Sequence, residues 1–369
     1  MSFFGNQSLG FQGSPSAPAH TGGLLYNPTS MNTKTSFFTP RVVSSLSSVA
    51  VIAALGFGSA SAAEAQETPA LTSPAAVTST AQKSSATPDT SDTPDAAYKP
   101  DGLQGIFLPT APINDPHCKP APEHPNPVIF IHGTSANATN WKQAATALSK
   151  QGYCTWAFNY GKKDVTVQAG LIGVYGLADI TKSVDELGEV VDYVRHVSGQ
   201  DKVDLVGHSQ GGTLTKMYIA DRKQGEKVRR VVGVSATYHG TTLNGADKML
   251  RPLIDATPGL AKFLASTAAT QQLIGSPVID HLNSLPDTDK RVVYTNVFTP
   301  ADTTATPNST SLLESVDGAS VANVDVVKTC GLKTAPNHGA MPTNTSVTSL
   351  IKWGLTRSPE TTTADRSSC

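Results

Sequence analysis

Six short apolar runs punctuate the second two-thirds of the chain: "PVIFIH" (127–132), "YCTWAFN" (153–159), "KVDLVGH" (202–208), "VRRVVGVSA" (228–236), "RVVYTNVF" (291–298) and "VANVDVV" (321–327). Most lack strict in–out alternation and are rich in Val and Ile, the pattern of strands covered on both faces. Longer segments of helical period lie between them. The clearest runs from 179 to 198, where Ile180, Val184, Leu187, Val191 and Val194 recur at steps of three and four before Gly199 ends it. Strands alternating with helices predict an α/β domain with a doubly wound, mostly parallel sheet. One stretch, 243–286, departs from the alternation. Met249, Leu250, Leu253, Ile254, Leu260, Phe263 and Leu264 make it an amphipathic helical insertion, expected as a cap over the strand ends, with ordinary packing on the sheet as the competing reading.

In such sheets ligands gather at the carboxyl ends of the strands. Six polar or glycine-rich stretches follow the strands here: "HGTSAN" (132–137), "NYG" (159–161), "GHSQGG" (207–212), "YHGTT" (238–242), "TPADTT" (299–304) and "APNHG" (335–339). Any catalytic set is expected from these.

The first hundred residues read differently. Lys34 and Arg41 precede a weakly apolar run, 42–57, and then the small-residue stretch "GSASAAEAQ". That order is the pattern of a secretory signal, with cleavage expected after Ala62 or Ala65 and translation expected to begin at Met31. An uncleaved membrane anchor is the alternative, against which the run is short and serine-rich. Residues 1–65 are therefore assigned to an N-terminal extension and signal peptide. Residues 66–101, dominated by Ala, Thr, Ser, Pro and Asp, are assigned to a disordered linker, and 102–369 to the folded domain.

Net charge changes the picture little. At −1 with 38% hydrophobic residues, the chain has no basic bias toward nucleic acid and suits a soluble globular domain, which is expected to be a monomer. The four cysteines, Cys118, Cys154, Cys330 and Cys369, all fall in the portion expected to be exported, where an even number favours disulfides over free thiols. Of three pairings we take Cys118 with Cys154 and Cys330 with Cys369. No C-x-x-C pair is present, which argues against a zinc or redox site.

Gly207-His208-Ser209-Gln210-Gly211 matches G-x-S-x-G, follows a predicted strand and opens a predicted helix. So sharp a turn strains the serine and lifts its hydroxyl from the sheet; the competing reading is a glycine-rich strand end that only binds an anion. A serine hydroxyl needs an oriented base. His20, His117 and His124 lie in the tail or entry segment, His196 at a helix end, His132 in a loop it structures, and His208 pointing away inside the turn. His239 and His281 are harder to dismiss. His338, in a loop after the last strand, is the preferred base, with His239 the main rival. The acid is expected between serine and histidine. Asp302, 93 residues after Ser209 and 36 before His338, is preferred over Asp280, Asp317 and Asp325. Donors for a tetrahedral oxyanion are expected from the backbone N–H groups of Gln210 and Thr134, so that their side chains matter little.

These stretches, with "HPNPVIFIHGT", the downstream Trp141, "GYCTWAFNYG", "HGTT" and "YTNVFTPADTTATP", resemble the secreted bacterial class 2 lipases and esterases of the α/β-hydrolase superfamily over residues 115–355. The resemblance implies carboxylester hydrolysis of lipid or other esters through Ser209, Asp302 and His338, without metal or organic cofactor, and transient contact with a lipid interface. The small, polar "TTATP" after Asp302 departs from the family pattern. Two other readings share the residues: an envelope acyltransferase passing the acyl group to an alcohol, and a non-catalytic protein on a hydrolase fold. "GLIGVYG" (170–176) lacks a preceding strand for a dinucleotide loop and reads as a mobile surface loop near the entrance.

Overall fold

The computed structural model describes residues 107–108, 111–162 and 173–369. The readings made of the signal segment, the linker and residues 163–172 lie outside them. All six strands form: β1 (Val128–Ile131), β2 (Thr155–Phe158), β3 (Val203–His208), β4 (Val228–Val234), β5 (Val293–Phe298) and β6 (Ser320–Asp325). They make one sheet in the order β2-β1-β3-β4-β5-β6, every neighbouring pair parallel. The chain winds outward from β1 to β2, then crosses back to β3 on the other side of β1. The loops leaving β1 and β3 therefore diverge, opening the crevice where such sheets bind ligands.

Both faces are covered, which is why the strands read as continuous apolar runs. Ile129 and Ile131 pack into one core with Trp156, Phe158 and Leu205, and with Ile180, Val184, Leu187, Val191 and Val194 of α2 (Ile180–Ser198). Their neighbours Val128 and Phe130 pack into the other with Trp141, with α1 (Lys142–Ser149) through Ala144 and Leu148, and with α9 (Thr345–Thr356) through Val347, Leu350 and Ile351. Each fully buried side chain of this kind stabilises by roughly 1.5–3 kcal/mol. Asp179 caps the start of α2 through the Thr181 N–H, and Gly199, in the left-handed region, ends it.

Between them, α3 (Gln210–Lys216) follows β3 directly. The insertion after β4 folds as α4 (Asp247–Ala256), α5 (Pro258–Ala265), α6 (Thr267–Gln271) and α7 (Pro277–Asn283), with α8 (Val326–Cys330) after β6. Ordinary core packing does not describe α4, which buries none of its residues; α5 buries Ala261 alone. Cys118–Cys154 and Cys330–Cys369 are disulfides, as expected, with Cα atoms 5.7 and 5.6 Å apart. One staples the entry segment to the start of β2, the other the C-terminal tail to α8. Closing loops of 36 and 39 residues stabilises by about 3–4 kcal/mol each in the chain-entropy account.

Candidate active site

Register sets the site. Ile131 lies opposite Gly207 and His208 opposite Val234, so the loops after β1, β3 and β4 emerge side by side. β3 ends at His208, α3 begins at Gln210, and Ser209 makes the turn alone at φ 54°, ψ −121°. A non-glycine residue there stores backbone strain of about 1–3 kcal/mol. The flanking glycines permit it: a Cβ on Gly207 would sit 2.5 Å from the Gly211 carbonyl carbon, and one on Gly211 would sit 2.3 Å from the Ile131 carbonyl oxygen. Ser209 occupies the helix N-cap without spending its side chain on a cap bond.

His338 opens a 3₁₀ turn, His338–Thr343, capped by the Asn337 side chain through the Ala340 N–H. Its Nδ1–H donates to Asp302 Oδ2 at 2.7 Å, which leaves Nε2 with the free lone pair that a general base needs. Asp302 Oδ1 accepts from the N–H groups of Thr304 (2.8 Å) and Ala305 (2.7 Å). Burial opposes the charge on Asp302, but the His338 imidazole and these two N–H groups outweigh it and hold the carboxyl below its ordinary value. Thr299 Oγ1 donates to Pro336 O at 2.8 Å, fastening the acid loop to the histidine loop.

The structure thus joins His338 to Asp302 directly. It brings this pair to the elbow through His208, whose ring lies 4.7 Å from that of His338 and whose Nε2–H donates to the His338 carbonyl at 3.1 Å. The sequence reading has His208 pointing away; instead it seats the histidine loop against Ser209's own turn. The rival His239 is committed elsewhere. Its Nδ1 meets Asn283 Oδ1 at 2.9 Å and its Nε2 faces Leu312 O at 3.1 Å and Asp287 Oδ2 at 3.4 Å, beside the buried Lys216–Asp287 pair at 2.6 Å. Burial works against charge on His239, yet Asp287 prevails and raises its affinity for a proton. The remaining alternatives also have other places. His281 pairs with Asp221 at 2.9 Å, Asp280 is exposed on α7, Asp317 turns the chain before β6, and Asp325 caps α8.

Thr134 and Gln210 are neighbours, and their side chains are not idle. Gln210 Nε2 donates to Thr134 Oγ1 and to Gly176 O, both at 3.2 Å, while Gln210 Oε1 faces the Tyr160 hydroxyl at 2.7 Å. That hydroxyl also lies 2.7 Å from His132 O, and the His132 ring stacks on Tyr160 at 4.3 Å. The N–H of Gln210, first in its helix, has no acceptor a turn back. Gly173–Gly176 do not form a free surface loop: Tyr175 N donates to Ala136 O at 2.9 Å, and Asn137 Nδ2 to Gly173 O at 2.7 Å. Sequence reasoning missed Tyr160 and Gln272, whose Nε2 donates to Thr134 Oγ1 at 2.8 Å; "NYG" was the only hint of Tyr160, and nothing marked Gln272.

Aspergillus fumigatus lipase B superposes with a TM-score of 0.53 at 16% identity, covering 72% of this chain and 60% of that one, which establishes the α/β-hydrolase fold. A probable lipase of Schizosaccharomyces pombe is 23% identical over 203 residues, 47% of this chain and 44% of that protein. Gastric triacylglycerol lipase of Mus musculus is 29% identical over 100 residues, 24% and 25% of the respective chains. The chain thus spans less than half the length of these two relatives. The pattern of the class 2 lipases matches residues 125–348, from just before β1 into α9 and through every residue of the site just described, and the chain belongs to the class 2 lipase family.

Proposed function

We propose that this protein is a secreted serine carboxylester hydrolase, a lipase or esterase acting on triacylglycerols or related esters. Ser209 Oγ attacks the ester carbonyl as its proton passes to His338 Nε2. Asp302 fixes the ring tautomer and stabilises the imidazolium. The N–H groups of Thr134 and Gln210 receive the oxyanion. Collapse expels the alcohol, which takes the proton from His338, and leaves an acyl-enzyme on Ser209. Water then gives a proton to His338 and attacks the acyl carbon; as that intermediate collapses, His338 returns the proton to Ser209 Oγ and the acid leaves. The observation that carries this reading is the 2.7 Å His338–Asp302 bond, docked against the strained Ser209 turn through His208.

The cap favours a lipid substrate. Met249, Leu260, Phe263 and Ile274, the large apolar residues most exposed among the described residues, all lie in it, at 60, 48, 45 and 38% exposure. Such a patch suits transient contact with a lipid interface. Two disulfides suit an oxidising, extracellular setting. A fluorophosphonate probe is expected to label Ser209, and Ser209→Ala to lose p-nitrophenyl ester turnover by about 10⁴-fold or more. Unchanged turnover in Ser209→Ala would falsify the mechanism.

A further inference from the structure

Gln272 lies immediately after α6 on the cap's inner edge, 5% exposed, and every polar group of its side chain is engaged. Oε1 accepts from Thr237 Oγ1 at 3.0 Å. Nε2 donates to Ala268 O at 3.1 Å and to Thr134 Oγ1 at 2.8 Å. The amide has one sensible orientation, because the Ala268 carbonyl can only accept and so demands the nitrogen. The backbone of Gln272 is held too: its carbonyl accepts from Thr241 N at 2.9 Å and its N–H reaches Ala268 O at 3.1 Å.

We infer that Gln272 is a positioning residue of the oxyanion loop, through which the seated cap holds Thr134 in its working geometry. The loop needs such support. After β1 it leaves regular structure, Ser135 sits at φ 58°, and its own turn bond, Ala136 N–H to Gly133 O, is long at 3.3 Å. Thr134 Oγ1 is gripped from two sides, by Gln210 on α3 at 3.2 Å and by Gln272 on the cap at 2.8 Å. The adjoining Gln271 anchors the cap in the same manner, since its Nε2 donates to Asp179 Oδ1 and its Oε1 accepts from Ile180 N, both at 2.9 Å. The cap is therefore pinned to the α2 N-terminus and to Thr134 by consecutive glutamines. An oxyanion donor displaced by about 1 Å costs on the order of 10²-fold in rate, so cap seating is coupled to acyl transfer and not only to access.

The inference rests on the reading of Thr134 as an oxyanion donor, and the experiment separates the two. Gln272→Met keeps the length and removes the donor. With soluble p-nitrophenyl butyrate, kcat is expected to fall about 10–100-fold with KM within about threefold. Gln272→Glu leaves an acceptor for the Thr237 hydroxyl but turns a carboxylate on Thr134; its activity relative to wild type is expected to recover as pH falls and the carboxylate is protonated. In a Thr134→Val background, which lacks the acceptor, adding Gln272→Met should cost less than about twofold.

A Gln272→Met enzyme within twofold of wild type, alongside an inactive Ser209→Ala, overturns the inference and leaves the triad standing. A full Gln272→Met penalty persisting in Thr134→Val also overturns it. An active Ser209→Ala removes the mechanism on which both stand. Should Gln272→Met fail to fold, Thr237→Val, which removes the hydroxyl that meets both Gln272 Oε1 and Thr213 Oγ1, is expected to lower kcat about 3–10-fold; unchanged kcat there rejects the inference.

Discussion

The floor of the candidate site and the helical insertion that we read as its cap are built to opposite specifications. In the floor, His132, Ser209, Gln210 and Asp302 are all buried, and glycines let β3 and α3 approach the loop after β1 to within a methyl group's width. In the cap, α4 buries nothing, and apart from Ala261 the apolar side chains of α4 and α5 stand partly in solvent. The floor tolerates almost no added volume because backbone atoms close directly on Gly207 and Gly211. The cap carries apolar surface that costs solubility unless something apolar meets it. The two are fastened together at several points, among them Gln271 on Asp179 and Ile180, Gln272 on Thr134 and the Ala268 N–H on Leu177 O, while α4 and α5 stand clear of them, so substitutions in the floor and on those two helices should have separable effects.

The largest effect is expected from Gly211→Ala. A Cβ there meets backbone, the Ile131 carbonyl oxygen at 2.3 Å and the His132 carbonyl oxygen at 2.9 Å, and neither can rotate away. β1 and α3 must part, which is expected to cost about 3 kcal/mol or more. It also moves the Gln210 N–H, lowering kcat by on the order of 10²-fold. Urea denaturation and ester kinetics check the two together. A folded, fully active Gly211→Ala would break the contrast, because the floor would then be as tolerant as the cap.

Much of the floor was legible beforehand, for reasons of local pattern. Each strand was a short apolar run, most of them rich in Val and Ile, and the observed bounds differ from the sequence reading by at most a few positions. The elbow was marked by glycines at fixed offsets from Ser209, and Asp302 and His338 by their places after β5 and β6. The second layer was not legible. Gln272 meets Thr134 across 138 positions and Tyr160 meets Gln210 across 50. Side-chain amides leave no periodic trace, and their partners are defined only once the sheet register brings the loops together. The same holds for His208. A residue inside the nucleophile turn reads as local structure, and its contact with His338, 130 positions away, appears only in the folded chain. His239 stayed open as a rival for the same reason, since its commitment to Asp287 shows only when the segment after α7 returns beside Lys216 of α3.

A second, smaller effect sharpens the contrast through pH. Burial holds His132 at about 4 against a pull from the Gly133 carbonyl, and holds His208 at about 3, with His338 adding to the depression and Asp302 opposing it. Below the ordinary value of 6.5 the unfolded chain takes up protons that these rings refuse, so both lower stability as pH falls from about 6.5 toward 4. Asp204, at the entry end of β3, has the opposite sign. Burial outweighs Arg229 and Arg230 and raises it to about 7, so the folded chain keeps a proton that the unfolded chain loses, and acidification through that window stabilises. His132→Asn deletes one of the destabilising sites. Its stability deficit against wild type is expected to shrink by about 2–3 kcal/mol between pH 7 and pH 4. Urea midpoints at three pH values test this, and a deficit constant with pH would mean that His132 does not stay neutral in the fold.

The smallest effect tests the cap. Met249 and Phe263 are about half exposed or more, so Met249→Ser with Phe263→Ser is expected to leave stability within about 0.5 kcal/mol. Soluble-ester kinetics are expected to stay unchanged, since both side chains are exposed to solvent. On an emulsified triacylglycerol the pair should lose about 3–10-fold, because each large side chain that no longer enters the apolar phase forfeits about 1–2 kcal/mol, partly offset by the exposed Leu260 and Ile274 that remain. The ratio of emulsion to soluble activity is therefore the quantity to measure. Equal losses on both substrates would place these side chains along the acyl path instead of at the interface. A ratio indistinguishable from wild type would leave the exposed patch without a lipid role, and the cap would owe its effect on catalysis to Gln272 alone.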